Sequence, residues 1–264
     1  MLDRAIGIFD SGVGGLTVLK EIASLLPEEN LLYLGDTARV PYGTKSVETV
    51  QHYALEAAKF LVDQGVKLLV VACNTASAVA LPLLRERFQL PVIGVIEPGA
   101  RRAAQSQNQR IGVIGTEGTI SSHRYPEAIR LLLPEARILS VACPLFVPLA
   151  EEGWAEHEVA RLTAIEYLQP LLTAEIDTLV LGCTHYPLLR NTLQRVLGDT
   201  VTLVDSAEET AKSVQQLFRS QGLLRAGAGG CRTFFVTDVP ARFVRVGEAF
   251  LGKSLDLVEQ VTIG

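Results

Sequence analysis

"RAIGIFDSGVGGLTVLKEIASLLP" (4–27) and "QRIGVIGTEGTISSHRYPEAIRLLLP" (109–134) share one layout. Each opens on a short apolar run, passes through a loop of glycine and small hydroxylated residues, and continues as an amphipathic helical pattern that stops at Pro27 or Pro134. Ile111 and Gly112 follow Ile6 and Gly7 by 105 positions, and Cys183 follows Cys73 by 110. At a nearly equal shift, "VTLVDSAEETAKSV" (201–214) echoes "PVIGVIEPGARRAA" (91–104). Three segments in one order at nearly one shift predict a duplicated α/β unit, with a join near 101–110.

Outward from these stretches the pattern keeps alternating. "NLLYLGDTARVPYG" (30–43) reads as a strand followed by a polar loop with a Pro-Tyr-Gly turn. "SVETVQHYALEAAKFLVDQG" (46–65) has helical periodicity, with Val47, Val50, Ala54, Ala57, Ala58 and Leu61 as an inward stripe. "KLLVVAC" (67–73) is a buried strand, "TASAVALPLLRERF" (75–88) a helix despite Pro82, and "PVIGVIEPG" (91–99) a strand and loop. Strands separated by helices imply mostly parallel sheets with right-handed crossovers. The expected fold class is therefore α/β, with two similar duplicated domains and an active-site cleft between them. Residues 1–98 with 207–264 form the expected first domain and 99–206 the second. "GCRTFFVTDVPARFVRVGEAFLG" (230–252) adds a strand, a Pro-bearing turn and a short helix without a counterpart in the second unit, and it can pack on either half.

A chain of 264 residues with 48% hydrophobic residues can bury a substantial core. Its 24 Lys plus Arg against 29 Asp plus Glu, net −5, give no footprint for nucleic acid. Its apolar runs fall well short of the roughly 20 residues that cross a bilayer, and the start has no signal-like region, so no membrane association and a cytoplasmic location are expected. The four cysteines, Cys73, Cys143, Cys183 and Cys231, are widely spaced and form no CxxC. That spacing argues against a disulfide framework and, with no histidine-rich cluster, against structural zinc.

In parallel α/β sheets ligands gather outside the C-terminal strand ends, and Asp10, Asp36, Cys73, Cys143 and Cys183 all follow expected strands. Cys73-Asn74-Thr75 and Cys183-Thr184-His185 occupy corresponding junctions, so a facing pair of halves would bring both thiols to opposite sides of one small ligand. At a helix N-terminus a thiol is brought from about 8.5 toward neutrality. Paired thiols in general serve as a redox couple, a metal site, structural residues or acid/base groups. Duplication is a poor route to the usual redox pair, and neither junction carries enough metal ligands. The loop "DSGVGGLT" (10–17) offers amides and the Ser11 hydroxyl to a carboxylate, though a tight strand-to-helix turn explains it equally. Asp10, directly after "IGIF", needs solvent or a partner. His185 can orient or protonate a neighbour. Glu152 can polarise a basic group, while Glu151 and Glu152 read equally as an exposed charge pair. Cys143 and Cys231 are expected to be structural, Pro144 breaking the likeness of the Cys143 loop to the other two.

"FDSGVGGLTV" (9–18), "YLGDTARVPYGTKS" (33–46), "VVACNTASA" (70–78), "GTEGTISS" (115–122), "CPLFVPLAEEG" (143–153) and "LVLGCTHYPLL" (179–189) together resemble the bacterial glutamate racemases of the aspartate/glutamate racemase superfamily. The resemblance spans essentially the whole chain. It implies cofactor-independent interconversion of L-glutamate and D-glutamate for peptidoglycan, with no metal and a homodimeric assembly. Carried over residue by residue, it implies Cys73 and Cys183 as the catalytic thiols, with Asp10, Glu152 and His185 in support. It further implies Asp10, Ser11, Asp36, Pro41, Tyr42, Gly43, Asn74, Thr75, Thr116, Thr119, Thr184 and His185 as the groups enclosing substrate. Cys73 is expected to act as base toward D-glutamate and Cys183 toward L-glutamate. Because the sequence opens almost at its first strand, regulation through an N-terminal extension, present in some relatives, is not expected. The nearest competing expectation is a racemase for aspartate or another amino acid; a non-enzymatic carboxylate-binding protein would need only the cleft.

Overall fold

The computed structural model describes residues 2–227, 229–255 and 257–264. In the first half β1 (Ile6–Asp10) leads into α1 (Leu16–Leu25), β2 (Leu31–Gly35), α2 (Val47–Asp63), β3 (Leu68–Val71), α3 (Asn74–Val79), α4 (Leu81–Arg87), β4 (Val92–Gly94) and α5 (Ile96–Ala103). The pattern then restarts with β5 (Arg110–Gly115), α6 (Glu117–Ser121), α7 (Arg124–Leu132), β6 (Arg137–Ala142), α8 (Phe146–Glu151), α9 (Glu158–Thr173), β7 (Thr178–Gly182), α10 (Arg190–Leu197) and β8 (Thr202–Asp205). After α11 (Ser206–Gln221) come β9 (Arg232–Val236), α12 (Pro240–Leu251) and β10 (Val258–Gln260).

Every strand pairing is parallel, as the helical crossovers require. The second sheet runs β6-β5-β7-β8, and the first contains the same order, β2-β1-β3-β4, extended at its β2 edge by β9 and β10. Register repeats as well: Ile6 sits between Leu31 and Leu68, and Ile111 between Ile138 and Thr178. The duplication seen in the sequence is thus a duplication of topology. β1 and β3 in one sheet, and β5 and β7 in the other, flank the point where strand order reverses, and the crevice there opens at their C-terminal ends. Central strands are buried along their length because helices cover both faces, which is why "IGIFD" and "LVV" are continuous apolar runs rather than alternating ones.

The segment around Cys231 settles on the first half: β9 pairs with β2, and α12 packs on α1. Several local expectations are corrected. Val47 is 48% exposed because it occupies the first turn of α2, just after the Ser46 cap, while the rest of its expected stripe is buried. The helix expected across Pro82 is two helices breaking at Ala80, since proline is accommodated in the first turn of α4 but lacks the amide needed to continue α3. "IEPG" is the start of α5 rather than a loop, so the expected division after residue 98 falls within a helix.

Candidate active site

Asp10 closes β1, and its carboxylate is drawn into the loop that follows: Gly12 N donates to Oδ2 at 3.0 Å, while Oδ1 is buried without a hydrogen-bond partner among the described residues. Burial raises the Asp10 pKa above the ordinary carboxylate value; nearby His185 and the amides of Gly15, Gly12 and Ser11 oppose that shift. Cys73, two residues after β3, is the N-cap of α3, and its sulfur accepts from Ala76 N at 3.4 Å. Ser11 Oγ stands 3.7 Å from that sulfur. The expectation of a thiol eased toward neutrality by the helix end does not hold for Cys73. Burial, aided by the Asp10 charge, outweighs the Ala76 amide and pushes the thiol up to about 12.

Cys183 follows β7 as Cys73 follows β3, and it is close enough to contribute to the raised Cys73 thiol. No α-helix begins here; a short 3-10 turn, Tyr186–Leu189, follows instead. The group beside the sulfur is His185, whose Nδ1 is 3.9 Å from Cys183 Sγ and whose Nε2 is 3.1 Å from Glu151 Oε1. Burial alone would depress the imidazole, but hydrogen bonds to Cys183 and Glu151 push it up to about 10, which favours the imidazolium form. Reciprocally, the His185 hydrogen bond holds Glu151 below the usual carboxylate range. The junctions are therefore topologically equivalent and electrostatically opposite, a carboxylate beside one sulfur and a cation beside the other.

Loops of the two halves interlock around these thiols. Thr17 Oγ1 reaches Thr184 O at 3.0 Å, and Thr75 Oγ1 meets Thr116 Oγ1 at 2.9 Å and Thr119 Oγ1 at 3.3 Å. Two glycines permit this closeness. A Cβ on Gly14 would lie 2.2 Å from Thr184 Oγ1, and one on Gly43 would lie 2.7 Å from Thr116 Cβ. Tyr125 OH donates to Asn74 Oδ1 at 2.8 Å, leaving Asn74 Nδ2 buried beside Cys73 without a hydrogen-bond partner among the described residues.

Three expected site residues stand elsewhere. Glu152 is exposed beside Leu145, Pro148, Leu149 and Trp154, and the carboxylate that reaches His185 is Glu151. The reason lies in the turn of α8: Glu151 is four residues past the half-buried Val147 and shares its face, whereas Glu152 lies above the exposed Pro148. Asp36 is fully buried behind the site with both oxygens engaged, by Thr237 on one and by Arg39 and Tyr42 on the other. Its position anchors the Tyr42 ring, and the loop presents Gly43 rather than the phenol to Thr116. Pro41 is exposed and caps the 3-10 turn Tyr42–Thr44. Cys143 is buried beneath Tyr186, which donates to its carbonyl at 2.8 Å, and Cys231 is exposed away from the thiol pair. Sequence reasoning missed Glu151, Tyr125 and Arg242, whose Nη2 donates to Glu151 Oε2 at 3.0 Å. Only Glu151 had a local signal, the four-residue spacing on α8. Among the described residues no cluster of His, Cys, Asp or Glu is arranged to hold a metal ion, and no helix is long and apolar enough to cross a membrane.

Residues 6–214 match the family model described as Asp/Glu/Hydantoin racemase. The chain is 60% identical over 262 residues to a glutamate racemase of Geobacter metallireducens, covering 98% of this chain and 97% of that one. Among solved structures it is similar to a glutamate racemase isoform from Bacillus anthracis, with a TM-score of 0.96, 42% identity and coverage of 99% and 98% of the two chains. It is also similar to the glutamate racemase of Francisella tularensis subsp. tularensis in complex with D-glutamate, with a TM-score of 0.94, 40% identity and the same coverage, 99% and 98%.

Proposed function

The chain belongs to the Asp/Glu/hydantoin racemase family, among its bacterial glutamate racemases, and from that premise we propose that it interconverts L-glutamate and D-glutamate by two-thiol acid/base catalysis without a cofactor. The observation that carries this proposal is the pair of cysteines at equivalent strand ends of two repeated sheets, one beside Asp10 and the other beside the His185 imidazolium.

Racemisation needs one face of the α-carbon to lose a proton and the other to gain one. Toward L-glutamate, Cys183, beside His185, acts as the base and takes the α-proton. Cys73, held protonated by burial and by Asp10, delivers a proton to the opposite face. The roles reverse for D-glutamate. Asn74 Nδ2, Thr75 and Thr184 adjoin the thiols and are assigned to the α-carboxylate, where charge develops as the proton leaves. Asp10 Oδ1, buried without a hydrogen-bond partner among the described residues, and Ser11 are assigned to the ammonium. The Gly43, Thr116 and Thr119 cluster lies a loop further out and is assigned to the side-chain carboxylate. Supply of D-glutamate for peptidoglycan in the cytoplasm belongs to the same proposal. So does a homodimer, for which the exposed Leu145, Trp154, Val159 and Leu162 offer an apolar face and which sedimentation equilibrium tests.

The test is incubation of dialysed, chelator-treated protein with L-glutamate, and separately L-aspartate, under a thiol reductant, with enantiomers resolved by chiral chromatography. Glutamate racemises at full rate; recovery only after adding a metal or pyridoxal phosphate refutes the cofactor-free mechanism. In deuterium oxide Cys73→Ala exchanges only L-glutamate and Cys183→Ala only D-glutamate. Undiminished racemisation by either variant refutes the two-thiol mechanism.

A further inference from the structure

Helix α12 lies outside the duplicated pattern, yet it reaches His185 in two ways. The Phe250 ring meets the imidazole edge-on, with 5.3 Å between centroids and 86° between planes. Arg242 Nη2 donates to Glu151 Oε2 at 3.0 Å, and the other oxygen of the same carboxylate lies 3.1 Å from His185 Nε2. A continuous line of polar contacts therefore runs from an arginine at the cleft mouth, its side chain 59% exposed, to the sulfur of Cys183. It also crosses between the halves. α12 packs on α1 of the first sheet, whereas α8 and the Cys183 loop belong to the second.

We propose that Arg242 is a positioning residue for the Cys183 side of the site, holding the outer oxygen of Glu151 so that the inner one fixes His185 with Nδ1 toward the sulfur. Its catalytic meaning rests on the racemase activity proposed above. Glu151 is the last residue of the six-residue helix α8 with its side chain 18% exposed, so water competes for its oxygens and a lone contact to His185 would leave it free to rotate. A guanidinium on the second oxygen removes that freedom. An exposed ion pair of this kind contributes little to global stability, so its value lies in geometry. The charged and titratable groups facing His185 are Asp10 from β1, Glu151 from α8 and Cys183 from the loop after β7, with Arg242 acting through Glu151. Asp238 lines the same 260 Å³ cavity as Arg242 and Glu151. On the Cys73 side the sulfur meets Ser11 and the Ala76 amide, with the Asp10 charge nearby, and the arginine there, Arg39, engages Asp36 and through it Tyr42 rather than an imidazole beside the sulfur. The appended helix thus makes two equivalent loops chemically unequal.

The test compares Arg242→Met and Arg242→Lys, each alone and with Glu151→Gln. Iodoacetamide alkylation of the substrate-free protein is followed at Cys183 and Cys73 by peptide mass spectrometry, beside kcat and KM in both directions across pH. Arg242→Met slows alkylation at Cys183 about fivefold, the scale of one lost hydrogen bond, without changing Cys73 alkylation or Tm. It lowers kcat rather than raising KM, Arg242→Lys recovers most of the loss, and with Glu151→Gln present it has no further effect. Unchanged Cys183 alkylation in Arg242→Met, or an equal loss in the Glu151→Gln background, overturns the proposal. Absence of racemisation by the unaltered protein overturns the activity instead, and the alkylation rates then still decide the role of Arg242.

Discussion

The Tyr125 hydroxyl, from the second half, donates to Asn74 Oδ1, from the first, at 2.8 Å. With its carbonyl engaged, the Asn74 amide is fixed in one orientation and its NH2 becomes the end available beside Cys73. Tyr125→Phe removes the hydroxyl while keeping a ring in a site that is 1% exposed. The expected result is a KM for glutamate raised about fivefold, the scale of one hydrogen bond, with a smaller change in kcat. Steady-state kinetics in both directions measures it, and unchanged KM would show that the amide needs no anchor.

Glu151 and Glu152 are adjacent in sequence and separated in chemistry. Glu151→Gln removes the charge that sustains the His185 imidazolium and should lower kcat by about tenfold or more, as for a lost charge-assisted hydrogen bond. Glu152→Gln should stay within about twofold of the unaltered protein, as most exposed substitutions do. Reversed effects would place the supporting carboxylate one residue later.

Stability should fall on the alkaline side. His185 is raised from 6.5 to about 10 in the folded chain, so its contribution is fully present below pH 6.5 and is lost as pH rises through about 10. Cys73, raised from 9.0 to about 12, has the same sign at higher pH: its thiol favours the folded state below 9 and the benefit fades toward 12. Urea midpoints should therefore decline from pH 6.5 to 10 and more steeply beyond 9. His185→Asn should flatten the lower part of that decline, and an unaltered slope would mean that the imidazole is neutral at pH 7.

Cys143 is fully buried but belongs to no Asp- or His-flanked junction. Cys143→Ala should cost about 1–2 kcal/mol through the space left by the sulfur, while racemisation persists. Loss of activity comparable to that of Cys73→Ala in a folded variant would make it a third essential thiol.

The duplicated parallel sheets and the paired thiols were legible because repetition leaves a signal that no single propensity gives: Ile6 with Ile111 and Cys73 with Cys183 report equivalent strands wherever their helices happen to break, although the order of strands within each sheet came only from the fold. Helix boundaries at Ala80 and Ser122 were not legible, since the pattern on either side has the right apolar period and only the local backbone decides; His123 there adopts a left-handed conformation, φ 56°. Asp36 shows a different limit. A polar residue after a strand signals proximity to the crevice, but its side chain turns to Arg39 and Tyr42 of its own loop and to Thr237, which β9 brings in from far along the chain. Arg242 carries no local signal at all, because its relevance exists only once α12 has folded back onto the first half.

Helix α5 leads out of the first sheet toward β5, α11 leads back from β8, and the two helices pack side by side. Both passages of the chain between the sheets therefore lie on one flank, like paired hinge pins on a single door post. Interlocked threonine loops and the Arg242–Glu151 contact supply the latch. With Cys73 and Cys183 each only 5% exposed, the links that join the two sheets share one side of the molecule, while the contacts that close over the thiols are side-chain contacts, free of covalent continuity.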